Sequence, residues 1–240
     1  MTDRISIRSD VTVDLVKHTV ADTDVLFAAR VSTGAATHVQ EHGDLTAADQ
    51  GLINYLMRER HGSPFEHNSM TFRIEAPIFV FREWMTHRIG WSYNEESGRY
   101  RTLQPDFYVP AADRKLLQVG KPGHYSFTHG SDAHFSRMAS NMVEAYCETY
   151  AAYEDMLNAG IAREVARMVL PVGVFSSMYA TCNARSLMNF LALRTYDERA
   201  TFPSHPQREI EMAAEQMEAH WARLMPVTHA AFNTHGRVAP

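Results

Sequence analysis

Long apolar runs are missing from this chain. None approaches the ~20 residues that a helix needs to cross a bilayer, and Met1-Thr2-Asp3-Arg4 lacks the apolar core of a signal peptide. Cysteine is scarce. Cys147 and Cys182 stand far apart in apolar surroundings, which excludes a disulfide framework and a zinc spacing and suits a reducing cytoplasm. No HExxH or HxH arrangement accompanies His61 and His67, so no metal site is expected. GxGxxG and GxxxxGK[ST] are absent, which argues against a Rossmann or P-loop nucleotide site. Without a GxSxG elbow, Ser97 is a poor candidate for a hydrolase nucleophile. A net charge of −5 gives no broad basic face for a nucleic acid polymer, although a small anionic ligand needs only a local arginine cluster.

What is present suits a globular core. The 240 residues, 45% of them apolar, allow one large domain or two small ones, and no internal repeat is visible. Alternation through Val11, Val13 and Leu15 predicts a strand within 5–20. Asp22 opens a short helix to Val31, and Thr46 or Asp44 caps a helix over 45–60 whose apolar face carries Leu52, Tyr55 and Leu56. Residues 71–80 read as a half-buried strand, 81–88 as a helix, and the stretch to Tyr100 as irregular. Turn-rich 111–134, with Lys121-Pro122-Gly123 and Thr128-His129-Gly130-Ser131-Asp132, predicts a mobile segment. Met138, Met142, Ala145, Thr149, Ala152 and Met156 form a helical stripe that Gly160 closes. A short helix over 162–170 stops before Pro171, a strand follows over 175–182, and Asn183 caps a helix from Ala184 to about Thr195. A polar insertion, 197–206, leads to a last helix with Ile210, Ala213, Met217, Trp221 and Leu224 on one face. The sum is a single α+β domain, helix-rich around a small, mostly antiparallel sheet.

The densest chemistry lies in residues 86–101, THRIGWSYNEESGRYR, with three Arg, one His, two Glu, two Ser and one Asn, and Trp91 and Tyr93 interleaved. Arginine supplies a rigid fork of donors that matches phosphate, polar side chains read a base or sugar edge, and aromatics stack on a ring. The mixture reads either as a pocket for a planar, phosphorylated ligand or as a turn whose charges neutralise one another. Arg167, set among Val165, Met168 and Val169, is expected to be partly buried and to need an anion, either Glu164 or a ligand phosphate. Arg194 shares a helical face with Leu187, Phe190 and Leu191, an expensive placement that suits holding an anionic ring or stabilising a developing anion. Arg185 and Asn189 sit one turn apart and donate either to a second ligand or to neighbouring backbone. In His61-Gly62-Ser63-Pro64-Phe65-Glu66-His67, Ser-Pro starts a turn and Glu66-His67 is a candidate acid–base pair.

Several segments together resemble the flavin-dependent thymidylate synthase family. Its signature, Arg-His-Arg, seven residues, then Ser-Gly/Gln-Arg-Tyr, is matched by His87-Arg88 and Ser97-Gly98-Arg99-Tyr100. Further matches are Ala28-Ala29-Arg30-Val31-Ser32, Ser63-Pro64-Phe65-Glu66-His67, Ala76-Pro77-Ile78-Phe79-Val80, Arg163-Glu164-Val165-Ala166-Arg167 with Leu170-Pro171, and Asn183-Ala184-Arg185-Ser186-Leu187-Met188-Asn189-Phe190. Three positions depart from the pattern: Thr86 replaces the first Arg, eight residues separate Arg88 from Ser97 because Trp91 is inserted, and Glu83 stands where Gln is frequent.

The resemblance implies reductive methylation of dUMP to dTMP, with methylenetetrahydrofolate as carbon donor and with FAD, reduced by NADPH, as hydride donor. It also implies a cytoplasmic homotetramer whose active sites several subunits share. Neither cysteine resembles the nucleophile of the unrelated classical enzyme. Arg194 is the expected activating residue. Arg99 and Arg167, helped by Ser97 and Gly98, are expected to hold dUMP, with Glu83, Trp84, Thr86 and Glu96 also on the nucleotide side. Ser63, His87, Arg88, Glu95, Asn183, Arg185 and Asn189 are expected to meet FAD, as are His61 and His205, the latter placed after the insertion. Two alternatives stand beside this one. A nucleotide-binding module without catalysis would bind no flavin and leaves Arg185 and Asn189 without purpose. A family member of altered activity would gain turnover on Thr86→Arg.

Overall fold

The computed structural model describes residues 4–34, 45–121 and 124–240; the alternative cap Asp44 and the turn at Pro122-Gly123 lie outside them. The architecture is α+β, with helices around small sheets, as the patterning implies. Strands are β1 (Ser6–Arg8), β2 (Thr12–Thr19), β3 (Ser69–Pro77), β4 (Trp91–Glu95), β5 (Asp106–Tyr108), β6 (Lys115–Lys121), β7 (His124–His129) and β8 (Phe175–Cys182). Helices are α1 (Asp22–Arg30), α2 (Ala47–Arg58), α3 (Ile78–Trp84), α4 (Asp132–Asn158), α5 (Arg163–Ala166), α6 (Ala184–Arg194), α7 (Arg208–Leu224) and α8 (Pro226–Thr234). The chain resolves into two compact units, one of residues 4–10, Ala76–Phe79 and Glu96–Ser176, the other of Val11–Glu75, Val80–Glu95 and Ser177–Pro240.

In the first unit β1 pairs with β5 in parallel, and β6 with β7 as an antiparallel hairpin. The predicted stripe of α4 is corrected. Its fully inward face is Tyr146, Tyr150 and Tyr153, packed with Phe107, Val109, Ala166 and Val174, while Met138, Met142 and Met156 only border that cluster. The tyrosines bury their rings and still satisfy their hydroxyls: Tyr146 Oη donates to the Tyr108 carbonyl (3.0 Å), Tyr150 Oη to that of Leu103 (3.3 Å), and Tyr153 Oη accepts from Leu103 N (3.2 Å). The pairing of β6 with β7 falls within the segment read as mobile, and Ser131 caps α4 seven residues before the first Met of the stripe.

The second unit is built on a sheet in the order β2-β3-β8-β4, with β2–β3 and β4–β8 antiparallel. Inward Phe72 and Ile74 alternate with half-buried Thr71 and Arg73 along β3. Thr46 caps α2 as expected, accepting from Asp49 N. The cap expected at Asp22 is corrected: the cap residue of α1 is Ala21, and Asp22 is buried. Its carboxylate instead accepts from Val227 N (3.0 Å), Thr228 N (2.8 Å) and Thr228 Oγ1 (2.6 Å), closing the amino end of α8. α7 lies along β2, where Gln216 accepts from Val13 N and donates to the Val11 carbonyl. Trp221 packs edge-on against Phe232 of α8.

Candidate functional site

The helix α6 positions chemistry at both ends. At its amino end Asn183 Oδ1 accepts from Ser186 N (2.8 Å), the cap read from sequence, and Ala184 N donates to Asn68 Oδ1 (2.8 Å). Ser186 Oγ reaches out to the Ile89 carbonyl (2.9 Å). That contact needs glycine next door: Gly90 has φ +70°, and a Cβ there would fall 2.1 Å from Ser186 Oγ. Thus the helix start and the turn before β4 are locked together.

At the other end stands Arg194, only 20% exposed. Its Nη1 pairs with Glu83 Oε2 (3.0 Å) and its Nε donates to His87 Nε2 (3.1 Å), while Nη2 keeps no partner among the described residues. Desolvation, with the Arg194 cation second, pushes the His87 imidazole down to about 4 from 6.5. The ring is therefore neutral, with Nε2 accepting from Arg194 and the proton on Nδ1. Burial raises the Glu83 carboxyl against the pull of Arg194. His87 lies edge-on to Phe190 (4.9 Å), and Tyr93 Oη donates to its carbonyl. A guanidinium fixed by a carboxylate and a neutral imidazole, with one nitrogen unspent, suits an incoming anion or carbonyl.

Arg185, the second residue of α6, donates to Glu66 and to the Pro240 carbonyl. Glu66 therefore serves Arg185, and the acid–base pairing read for Glu66-His67 is not made. Asn189 Nδ2 donates to the Arg185 carbonyl (3.1 Å), the backbone option left open by sequence. Ser63 is exposed at the start of a 3-10 turn, Ser63–Glu66. His61 is exposed and stacks on Tyr55, and exposed His205 stacks on Tyr196. Thr86 Oγ1 donates to the Glu83 carbonyl (2.7 Å), closing the turn after α3. Arg88 is exposed, and its side chain has no partner among the described residues. Half-buried Glu95 lies in β4 opposite Met178.

Two expectations are corrected. Trp84 is fully buried, stacked on Phe190 (4.7 Å) and edge-on to Trp91 (6.4 Å); its side chain belongs to the core rather than to an open surface. Arg167 is exposed because its neighbours Val165 (47%) and Met168 (77%) are exposed too, Ala166 being the inward residue of that turn. Arg167 does not pair with Glu164, which instead binds Arg99 Nε at 2.9 Å. In the same unit Gly98 is buried against the Arg167 stem, where a Cβ would approach Arg167 Cδ to 3.2 Å. Ser97 Oγ accepts from Arg99 N, and Glu96 pairs with Arg101 (2.8 Å).

The sequence reading passed over Tyr93 and Glu66 as supports; the Ser-Pro turn and the alternation of β4 carry the only signal for them.

Comparison with known proteins adds the following. The family model described as thymidylate synthase complementing protein matches residues 14–227. A Streptomyces coelicolor protein named flavin-dependent thymidylate synthase is 65% identical over 237 residues, covering 99% of this chain and 96% of its own. One of the same name from Tropheryma whipplei is 56% identical over 232 residues, covering 97% and 96%. The crystal structure of a UMP/dUMP methylase from Streptomyces cacaoi, bound with 5-bromo-UMP, superposes with a TM-score of 0.90 at 54% identity, covering 99% of this chain and 100% of that one.

Proposed function

Because the chain belongs to the thymidylate synthase complementing protein family, the flavin-dependent thymidylate synthases, we propose that it converts dUMP to dTMP by reductive methylation. Methylenetetrahydrofolate is the carbon donor, leaving as tetrahydrofolate, and NADPH is the reductant. The observation that carries this reading is the half-buried Arg194 with its unspent Nη2, held by Glu83 and neutral His87. A guanidinium is no base, but beside a uracil it stabilises negative charge on the ring, which makes C5 a better nucleophile. Such an arrangement needs no cysteine, and the buried Cys182, whose thiol burial pushes up, is unsuited to attack.

The residues on hand suit FAD. Exposed Arg88 without an acceptor, the hydroxyl of Ser63, and the amides of Asn183 and Asn189 are the donors that a pyrophosphate and a flavin edge require. Bound FAD would supply two-electron chemistry, taking a hydride from NADPH for the nucleotide's new carbon. His61, His87, Glu95, Arg185 and His205 complete its contacts in this reading. Exposed Arg167, together with Arg99, whose Nε is held by Glu164, grips the dUMP phosphate, with Ser97 and Gly98 donating backbone and hydroxyl, and Glu83, Thr86 and Glu96 bordering the nucleotide. The whole chain acts as one functional domain, in the cytoplasm, as a homotetramer whose sites draw on several subunits. No helix among the described residues is long and apolar enough to cross a membrane.

The test is spectroscopic and then catalytic. Purified protein should show flavin absorption bands that bleach with NADPH, and should form dTMP from dUMP and methylenetetrahydrofolate. A protein that stays colourless after incubation with FAD refutes the reading. UMP is assayed in parallel, and equal kcat/KM for UMP refutes the substrate assignment. An active, flavin-bound monomer in sedimentation refutes the shared-site tetramer.

A further inference from the structure

The family match stops at residue 227, yet the most heavily bonded arginine of the second unit lies beyond it. Arg237 is 6% exposed and has φ +56°, a left-handed conformation that side chains with a Cβ rarely adopt. Its guanidinium is committed on two edges. Nη1 donates to Glu218 Oε1 (2.7 Å) and Asn233 Oδ1 (2.6 Å), and Nη2 donates to Glu218 Oε2 (2.8 Å) and Thr195 Oγ1 (2.8 Å). The Glu218 pair by itself would neutralise the cation. The bond to Thr195 is additional, and it lands on the residue that follows Arg194.

Thr195 is where α6 ends. It takes extended backbone angles, its N and Oγ1 both donate to the Leu191 carbonyl (3.0 and 2.7 Å), and its hydroxyl accepts from Arg237. The Arg237 cation therefore sits at the negative end of the α6 dipole. The next stretch is pinned by the same segment: Thr201 N donates to the Gly236 carbonyl (2.9 Å), and Gly236 has φ +74° at a place where a Cβ would meet Thr201 Oγ1 at 2.1 Å. Residues 195 and 201 are thus both held by residues 236–237. Arg194 projects from the last turn so fixed, and the direction of its long side chain depends on that turn.

We propose that Arg237, acting through the Thr195 hydroxyl, is a positioning residue for Arg194. The proposal rests on the reading of Arg194 as the group that acts on the nucleotide. Thr195→Val removes the hydroxyl and leaves the Arg237–Glu218 pair. Thr195→Ser keeps the hydroxyl. Arg237→Lys keeps the charge for Glu218 but loses the fork.

Thr195→Val and Arg237→Lys should lower kcat on the order of 10- to 100-fold, as small misplacements of a catalytic group do, with flavin content unchanged and KM for dUMP within a few-fold. Thr195→Ser should restore kcat. A second readout needs no activity. In ligand-free protein, NMR titration of His87 should give a midpoint raised above that of the wild type in the valine variant and unmoved in the serine variant, because the Arg194 cation has left the ring. Wild-type kcat in Thr195→Val overturns the proposal. So does lost kcat with an unmoved His87, since Arg194 then has not moved, and so does a serine variant as impaired as the valine one. Arg194→Ala separates the two ideas: if it turns over normally, the reading of Arg194 fails, while the His87 titration still decides whether Thr195 positions it.

Discussion

Glu218 is a largely buried carboxylate of the second unit, bonded to Arg237 and His229. Burial by itself would raise its carboxyl; hydrogen bonds from Arg237 and His229, and their charges, outweigh burial and bring it down to about 2 from 4.5. At about 1.4 kcal/mol per pH unit, that difference corresponds to about 3 kcal/mol of folding stability. The folded value is depressed, so this stability is complete above the unfolded value of 4.5 and is lost as pH falls toward about 2.

Glu218→Gln tests it. The amide cannot accept with both atoms from the Arg237 fork, and the buried cation loses its counter-charge. At pH 7 the variant should be about 3 kcal/mol less stable, in keeping with the cost of breaking a buried pair. At about pH 3.5, a unit below the unfolded value, the wild type has itself lost a large part of this stability, and the gap should fall to roughly half. Urea unfolding at fixed protein concentration, followed by tryptophan fluorescence, measures this cleanly because Trp84, Trp91 and Trp221 all belong to the second unit. A gap that stays constant from pH 7 to about 3.5, or one below about 1 kcal/mol at pH 7, refutes the reasoning.

Other outcomes follow from the site and its supports. Arg194→Ala should abolish dTMP formation while retaining most flavin, as read from turnover and the visible spectrum; turnover within a few-fold of wild type contradicts the activating role. Gly90→Ala should lose stability and flavin together, because the new Cβ meets Ser186 Oγ at 2.1 Å on a φ of +70°; unchanged melting and flavin content would contradict it. Asp22→Ala should cost about 2–3 kcal/mol in denaturant unfolding, since it leaves the buried Thr228 N–H and hydroxyl without an acceptor.

Much of this was legible residue by residue where the signal is local. The caps at Thr46 and Asn183 work within three residues, and the strand read over 175–182 is β8, so α2, α6 and β8 came out as expected. What escaped depends on distant partners. The aspartate that opens α1 looks like its cap, but its carboxylate is spent on α8, and nothing within 22–30 announces that. β4 is an edge strand whose outward Ser92 and Asn94 look like loop polarity until β8 lies beside it. The stripe expected on α4 is one position out of phase: Ala145 and Ala152 are exposed, and the neighbouring Tyr146, Tyr150 and Tyr153 turn inward because they carry large rings whose hydroxyls can be satisfied. Arg194 was legible because an arginine on an apolar face is costly anywhere. The exposure of Arg167 was not, because apolar neighbours in a short turn need not be buried ones.

The bond from Asp22 to Thr228 spans 206 residues, and it sets a schedule. A ribosome making this chain releases α1 long before α8, and the carboxylate that closes α8 waits for 206 further residues before its partner emerges, as Val13 waits 203 for Gln216. Contacts of such long range slow folding. Until residues 208–228 emerge, the Asp22 carboxylate and the side of β2 that α7 covers lack their partners, so the second unit completes its packing only after its last helices are made.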